Sequence, residues 1–289
     1  MGETPFAKIV TTVYYALPPE AKEYYEESRG LHVLVFGGGR RKLEELNDRW
    51  MEENCVADDD YEDNISAMNP FVNEMTTIYA AYRHPELTGG AEYVGHNHYR
   101  RFWTDSDVDG VSAYDGMVSL PIPLFTARIG TTIGEQYGLC HYSEDLDVMR
   151  EMVIERGMCR KSELDGWASL RSLFAPCNCF LLRMDLFRKY CSEVFPMVTE
   201  FPSRIDVTGR DDYQKRACSF LSERLTSLWF YARGLAGMRW KETPLTERLN
   251  WKPKSSGDSR GYRNGVFVGD QSVPKIAEWV RRELKLCSV

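Results

Sequence analysis

The N-terminal part of the chain alternates short apolar runs with polar, helix-forming stretches. Residues 7–14 (AKIVTTVY) and 32–36 (HVLVF) are rich in β-branched and apolar side chains, which is typical of buried strands. A proline pair at residues 18–19 opens a helical stretch between them, and a second helix is predicted over residues 42–54. Parallel neighbouring strands need a crossover connection, which is usually a helix. This order therefore predicts an α/β protein with parallel strands.

The composition is that of a soluble globular protein, with 43% apolar and 27% charged residues. A chain of 289 residues can build a large core, and we expect a single domain. The net charge of −7 argues against a nonspecific nucleic-acid binder, because such binding depends on an excess of Lys and Arg. The sequence has no run of about 18 apolar residues, and residues 1–13 lack the layout of a signal peptide. A cytoplasmic location is the expectation.

The stretch 93–103 (YVGHNHYRRFW) places a dense set of polar side chains at the end of a predicted strand. In an open α/β sheet, ligands bind at the carboxyl ends of the strands, so this stretch is a candidate site. Arginine suits phosphate, because its planar fork donates two parallel hydrogen bonds and keeps its charge. On pattern alone, however, Arg100 and Arg101 would more often be solvated or salt-bridged than ligand-binding.

Four short motifs suggest other ligands, and each has a simpler interpretation. The glycines at 37–39 lack the Gly-Lys-Ser/Thr ending of a phosphate loop, so they are interpreted as a connection into a helix. The aspartates at 58–60 are expected to be solvated. Asp105, Asp107 and Asp109 mimic an Asp-x-Asp metal motif but are placed in a polar turn. A metal site at His96 and His98 would need a third ligand that the sequence does not identify.

Two predicted helices carry candidate site residues. Over residues 69–83, Asn69 is expected to cap the helix, and Glu74 lies beside its apolar stripe. The longest helical pattern, over residues 211–233, gives the chain a helical C-terminal portion. There Arg216 and Glu223 are expected on one face, where they would by themselves indicate a surface salt-bridge array. A polar loop over residues 250–264 and an amphipathic helix over 273–286 close the chain.

Five blocks in a fixed order, spanning roughly residues 60–232, resemble one family. The HYRR segment at 98–101 resembles the signature of the bacterial domain-of-unknown-function family 4422. The other blocks similar to that family are EDNIS at 62–66, NPFVNEMTTIYAAYR at 69–83, APCNCFLLRMDLFRKYCSEVF at 175–195 and RACSFLSERLTSLWF at 216–230. Members of the family look like glycosyltransferases of capsule, exopolysaccharide and O-antigen assembly.

The resemblance implies a GT-A-like, Rossmann-like mixed sheet flanked by helices. It implies one glycosyltransferase-like domain over residues 1–289. Its expected parts are a nucleotide-sugar-binding half at 1–142, a helical acceptor and catalytic half at 143–249, and a loop with a C-terminal helix at 250–289.

The implied function is transfer of a hexosyl or pentosyl group from a nucleotide sugar to a glycan or glycolipid in surface-polysaccharide synthesis. Peripheral membrane association accompanies such acceptors. Two alternatives stay open. One is a noncatalytic sugar- or nucleotide-binding relative, and the other is a glycosyltransferase acting on modified nucleic acid, the less favoured partner.

The resemblance also implies site residues. Catalytic candidates are Glu223 as the first choice of base, Glu74 as the second, and His98 as a base or a phosphate donor. Expected donor-binding residues are Arg100, Arg101, Tyr99, Asp63, Asn64, Arg216 and Arg224, and expected acceptor-binding residues are Asn178, Gln136 and Tyr137. No metal ligands are predicted, and no cofactor follows firmly from the sequence. A divalent ion, Mn²⁺ or Mg²⁺, stays open.

Overall fold

The computed structural model describes residues 6–124, 131–251, 261–263 and 266–268. Its strands are β1 (Ala7–Val13), β2 (His32–Phe36), β3 (Cys55–Ala57), β4 (Tyr93–His98), β5 (Arg101–Phe102), β6 (Gly116–Ser119), β7 (Ile122–Pro123), β8 (Ser172–Leu173), β9 (Phe180–Arg183), β10 (Trp240–Thr243), β11 (Thr246–Glu247), β12 (Gly261–Arg263) and β13 (Val266–Val268).

The α-helices lie between these strands. They are α1 (Pro19–Glu27), α2 (Arg40–Glu44), α3 (Arg49–Asn54), α4 (Asn69–Val72), α5 (Met75–Arg83), α6 (Asp105–Val108), α7 (Ile133–Cys140), α8 (Ser143–Glu155), α9 (Lys161–Ala168), α10 (Met184–Val198), α11 (Phe201–Arg204) and α12 (Ala217–Leu235). The predicted final helix over residues 273–286, and most of the predicted loop before it, lie outside the described residues.

Nine of the described strands form one mixed sheet with the order β10-β6-β9-β4-β1-β2-β3, and β5 and β11 extend it beyond the end of β4. Strand β1 is parallel to β2 and β4, and β2 is parallel to β3. Strand β9 runs antiparallel to both β4 and β6. The predicted parallel α/β start and the mixed sheet flanked by helices are both confirmed.

Gly95 fixes the distance between the central strands β4 and β9. A Cβ atom at this position would lie 2.0 Å from the carbonyl oxygen of Phe180 and 2.6 Å from the Cα of Leu181. Only glycine therefore permits this approach. Because Gly95 pairs with Leu181 in the register, it also decides which β4 side chains face the start of β9.

The two faces of the sheet are covered by different apolar clusters. On one face Val10, Val94 and Phe180 pack with helices α5, α8, α10 and α12. On the other face Val13 and Phe36 pack with α1 and α3. Because successive residues of a strand point to opposite faces, Thr12 and His96 share the face of Val10. Among the described residues, no helix is both long and apolar enough to cross a membrane.

The helix predicted over residues 69–83 is interrupted. Asn73, with φ of 46° and ψ of −123°, separates α4 from α5. Asn69 does not cap the helix as expected; its side-chain nitrogen donates to the carbonyl of Asn73 at 3.1 Å and to Thr76 Oγ1 at 3.0 Å. Asn69 thus bridges the break, and Glu74 becomes the residue that directly precedes α5, its N-cap.

In the aspartate run at 58–60, Asp59 and Asp60 are exposed as expected, but Asp58 is not. Asp58 is fully buried and accepts hydrogen bonds from the backbone nitrogen of Gly38, from Ser66 and from Thr76. Asp59 accepts from the backbone nitrogen of Arg40, so the run holds the glycine loop after β2. Asp58 was misjudged because only the fold brings its backbone and side-chain donors together.

Candidate active site

His98 and Glu74 meet where β4 ends. The Nε2 atom of His98 lies 3.8 Å from Oε1 of Glu74, and the two side chains are 20% and 9% exposed. Asn178 Nδ2 donates to the same oxygen at 2.7 Å. Burial acts to raise the pKa of Glu74, but the proximity and charge of His98 outweigh it and lower that pKa. Glu74 is therefore an ionised carboxylate that orients a partly exposed imidazole.

His96, two residues earlier, has a different position. It is fully buried, with Nε2 2.8 Å from Thr12 Oγ1 and Nδ1 2.8 Å from the carbonyl oxygen of Asn178. A carbonyl only accepts, so Nδ1 carries the proton. Burial lowers the pKa of His96 to about 3, and the ring is neutral.

The donor atoms do not fit a metal at the H-x-H pair. Both ring nitrogens of His96 already have partners. Across the described ranges, no group of three His, Cys, Asp or Glu side chains is placed to hold a metal ion. Asp107 of the Asp-x-Asp motif accepts from Thr104, the residue that caps α6, so the motif forms a helix start rather than the expected loop.

The segment that leads into β9 is strained. Ala175, Cys177 and Asn178 have φ values of 46°, 56° and 53°, in the left-handed region that costs energy for residues other than glycine. The backbone nitrogen of Cys177 donates to Glu223 Oε1, and Arg101 Nη1 lies 3.7 Å from Cys177 Sγ. The fully buried Oδ1 of Asn178 has no hydrogen-bond partner among the described residues. Such strain persists where surrounding contacts hold it, often at functional sites.

Glu223 and Arg224 support this segment from α12. Arg224 is 4% exposed, pairs with Glu223 Oε2 through Nη1, and donates to Gln136 Oε1 at 3.0 Å. Its guanidinium carbon lies 5.7 Å from the ring centroid of Tyr137. Gln136 and Tyr137 are both fully buried behind the segment. In this conformation an acceptor does not reach Gln136 or Tyr137 directly. These two residues would influence acceptor binding only through their contacts with Arg224.

The residues of the HYRR segment have separate surroundings. Tyr99 is 2% exposed, and its carbonyl oxygen accepts from Tyr25. Arg101 pairs with Glu247 of β11 at 3.2 Å, with the side chains 12% and 15% exposed. Arg100 is half-buried and makes no ion pair with the residues that the structure describes. Of the two arginines, Arg100 is therefore the one placed to meet an anionic ligand.

Arg216 is an exposed arginine at the same edge. It has no carboxylate partner within the described residues, and its guanidinium faces Asn73 at the start of α5. The pKa of the Tyr14 hydroxyl is raised by burial and by the charge of Glu74, and Arg216 opposes that rise. Glu74 and Arg216 therefore both lie near the carboxyl end of β1.

Asp63 and Asn64 do not contact this cluster. Asp63 pairs with Arg83 at the surface and accepts from Tyr79, a hydrogen bond that lowers the pKa of its carboxyl group. Asn64 donates to the carbonyl of Tyr61 and accepts from the backbone of Ser66. In this structure both residues hold the loop before α4, and donor binding by them stays a prediction.

The sequence did not single out several residues that complete the cluster. They are Thr12, Asn73, Cys177 and Glu247. The most accessible signal in the sequence was the asparagine at position 73 itself, because asparagine tolerates a positive φ better than most residues. The others form contacts between chain segments far apart in sequence, which no local pattern records.

Comparisons with known proteins agree with this fold. Residues 45–234 match the family model DUF4422, described as a domain of unknown function. A solved structure described as the apo form of WbbM, a bifunctional glycosyltransferase, superposes with a TM-score of 0.66 at 20% sequence identity. The match covers 84% of this chain and 45% of that chain, so this chain spans under half of that protein's length. No curated protein sequence matches the chain.

Proposed function

Because this chain belongs to the DUF4422 family, with a fold shared with a glycosyltransferase, we propose that it transfers a sugar from a nucleotide-sugar donor to a glycan or glycolipid. The observation that carries the proposal is the cluster at the carboxyl end of β4. There the His98–Glu74 pair lies beside Asn178, at the sheet edge that also carries Arg100 and Arg216. A hexosyl or pentosyl group, surface-polysaccharide synthesis and peripheral contact with a membrane-borne acceptor belong to the same proposal.

Arg100 and Arg216 stabilise the leaving diphosphate. Breaking the bond between the anomeric carbon and phosphate oxygen builds negative charge on the diphosphate, and cationic donors placed in advance stabilise that charge. Neither arginine is neutralised by a carboxylate in the described part of the chain. One such donor typically contributes ~3 kcal/mol in the transition state, equivalent to about a hundredfold in rate.

His98 accepts the proton of the acceptor hydroxyl. In a direct displacement, the hydroxyl oxygen bonds to the anomeric carbon as the bond to phosphate breaks, and its proton passes to His98 Nδ1, the ring nitrogen that does not face Glu74. Glu74 then stabilises the imidazolium that forms. Asn178 is as fully buried as Gln136 and Tyr137, so it acts by orienting Glu74 through Nδ2, and direct contact with the acceptor stays a prediction. Glu223, the first choice from sequence, instead holds the strained segment.

The proposed mechanism uses the arginines to stabilise the diphosphate, and a divalent metal, Mn²⁺ or Mg²⁺, stays open. Mg²⁺ is usually held by one or two carboxylates together with substrate phosphates and waters, and Glu74 is a carboxylate beside His98. Metal dependence is therefore an explicit arm of the test.

The test is hydrolysis of a panel of nucleotide sugars, with and without EDTA, by wild type, Arg100→Ala and the matched control Arg49→Ala. Arg49 is 90% exposed and pairs only with Glu53 in the described structure. Turnover of one donor that survives EDTA, falls about a hundredfold in Arg100→Ala and is unchanged in Arg49→Ala supports the proposal.

Other outcomes identify the alternatives. Nucleotide binding without turnover indicates a noncatalytic binding relative. Transfer to modified DNA with salt-sensitive acceptor binding indicates the nucleic-acid alternative. If EDTA abolishes the turnover of the wild-type protein, the metal-free mechanism is contradicted. The Arg101→Ala variant should lose stability as well as turnover, because it leaves Glu247 largely buried without its cation.

A further inference from the structure

Asn73 lies at the break between α4 and α5 in a backbone conformation that asparagine adopts at a cost. Its φ of 46° and ψ of −123° belong to a region that glycine occupies more readily. Asn69 spans the break, since its side chain reaches both the carbonyl of Asn73 and Thr76. The surrounding contacts therefore hold a strained residue directly before Glu74.

The side chain of Asn73 faces the start of α12. With the carboxamide oxygen turned toward Arg216, that oxygen accepts from Arg216 Nη2 at 2.6 Å and Nε at 3.2 Å, and from Ser219 Oγ at 2.7 Å. The opposite orientation would set the amide nitrogen against these guanidinium donors. Two donors on one oxygen fix the plane of the guanidinium and leave its other N–H groups available for an anionic oxygen.

Arg216 would otherwise be a mobile surface side chain. It is exposed, and its remaining described contact is the ring of Phe220, 5.7 Å from the guanidinium carbon. An ordered arginine binds an anion with less loss of side-chain entropy than a mobile one. The bond to Asn73 thus prepares the arginine before a ligand arrives.

Resting on the proposed function, we propose that Asn73 is a positioning residue that holds the Arg216 guanidinium toward the diphosphate of the donor. Asn73 also directly precedes Glu74, the N-cap of α5, so one strained position affects the placement of both the Arg216 cation and the Glu74 carboxylate. Glycine would suit the backbone but could not hold the arginine.

The first test is binding of uridine, guanosine and thymidine diphosphates by calorimetry. Asn73→Gly should weaken the diphosphate that wild type binds by about three- to tenfold, while its denaturation midpoint is equal to or above that of wild type. The matched control is Asn47→Gly, at an exposed asparagine with φ of 51° in the turn between α2 and α3, which should bind as wild type does.

A double-mutant cycle tests whether Asn73 acts through Arg216. Asn73→Gly should have little further effect in an Arg216→Ala background. An equal loss in both backgrounds, or unchanged affinity in Asn73→Gly alone, would overturn the inference.

A readout without any nucleotide separates this inference from the proposed function. The Arg216 Nε–H resonance, assigned by its loss in Arg216→Ala, should be protected from exchange in wild type and unprotected in Asn73→Gly. Protection that persists in Asn73→Gly contradicts the positioning role. Protection that is lost, in a protein that binds no diphosphate, leaves the positioning role intact and removes the proposed donor.

Discussion

Proton transfer depends on which side chain has a lone pair able to face the acceptor hydroxyl. Both carboxylate oxygens of Glu223 already accept hydrogen bonds, one from the backbone of Cys177 and one from Arg224. His98 and Glu223 are equally exposed, at 20% and 21% of their side chains, but Glu74 orients the His98 imidazole through Nε2 and leaves Nδ1 for the hydroxyl. At the scale of single residues, His98 is therefore the better base.

Substitution distinguishes the two residues. Glu223→Gln should retain turnover within about tenfold, because the amide oxygen can still accept from Cys177 or Arg224. His98→Gln should lose turnover by roughly a hundredfold or more, the usual effect of removing a general base. Initial rates on the donor found in the panel measure both. A Glu223→Gln variant as inactive as His98→Gln would return Glu223 to the role of base.

The element that most constrains the site is the β4–β9 pair. His98 ends β4, and the strained segment with Asn178 leads into β9, so the spacing of these strands decides whether Asn178 reaches Glu74. Gly95 sets that spacing through the absence of a side chain.

Gly95→Ala should therefore be severely destabilising. Its methyl group would overlap the carbonyl of Phe180, and relieving the overlap means separating two central strands, at a cost of about 3 kcal/mol or more. Gly30→Ala is the matched control, since a Cβ there meets nothing within 4 Å. Urea denaturation measures both. A Gly95→Ala protein as stable as Gly30→Ala would mean that the strands move apart at little cost.

At the scale of the whole molecule, two buried histidines make stability depend on pH. Burial lowers the pKa of His32 and of His96 to about 3. The unfolded chain has histidine pKa values of about 6.5, so below that pH it binds protons that the folded protein does not. The stability that the fold has with both rings neutral is therefore fully present above about pH 6.5. It is lost as pH falls toward 3, because the unfolded chain gains protons first.

Between pH 7.5 and pH 5 each histidine should cost about 2 kcal/mol of unfolding free energy. His32→Gln should reduce the pH-dependent part of the loss by about half, whatever its effect on absolute stability. Denaturation curves at the two pH values check this. An equal pH-dependent loss in wild type and His32→Gln would show that His32 is protonated in the folded protein.

Local patterns determined a large part of this protein. The β-branched runs at β1 and β2, with helices between them, predicted the parallel start of the sheet, and the quoted blocks predicted the family. These features were accessible because propensity, periodicity and motif order all reside in neighbouring residues. Arg100, His98 and Glu74 were named as candidates on the same basis.

The tertiary structure alone decided what those candidates contact. Of the adjacent arginines, one pairs with Glu247 and the other has no carboxylate partner in the described residues. Asp58, in the aspartate run, became a buried support. Asn73 contacts Arg216, which lies 143 positions later in the sequence (216 − 73). Such contacts depend on strand register, on a break in a helix and on burial. Residues distant in the chain set these features jointly, so the sequence read in order could not supply them.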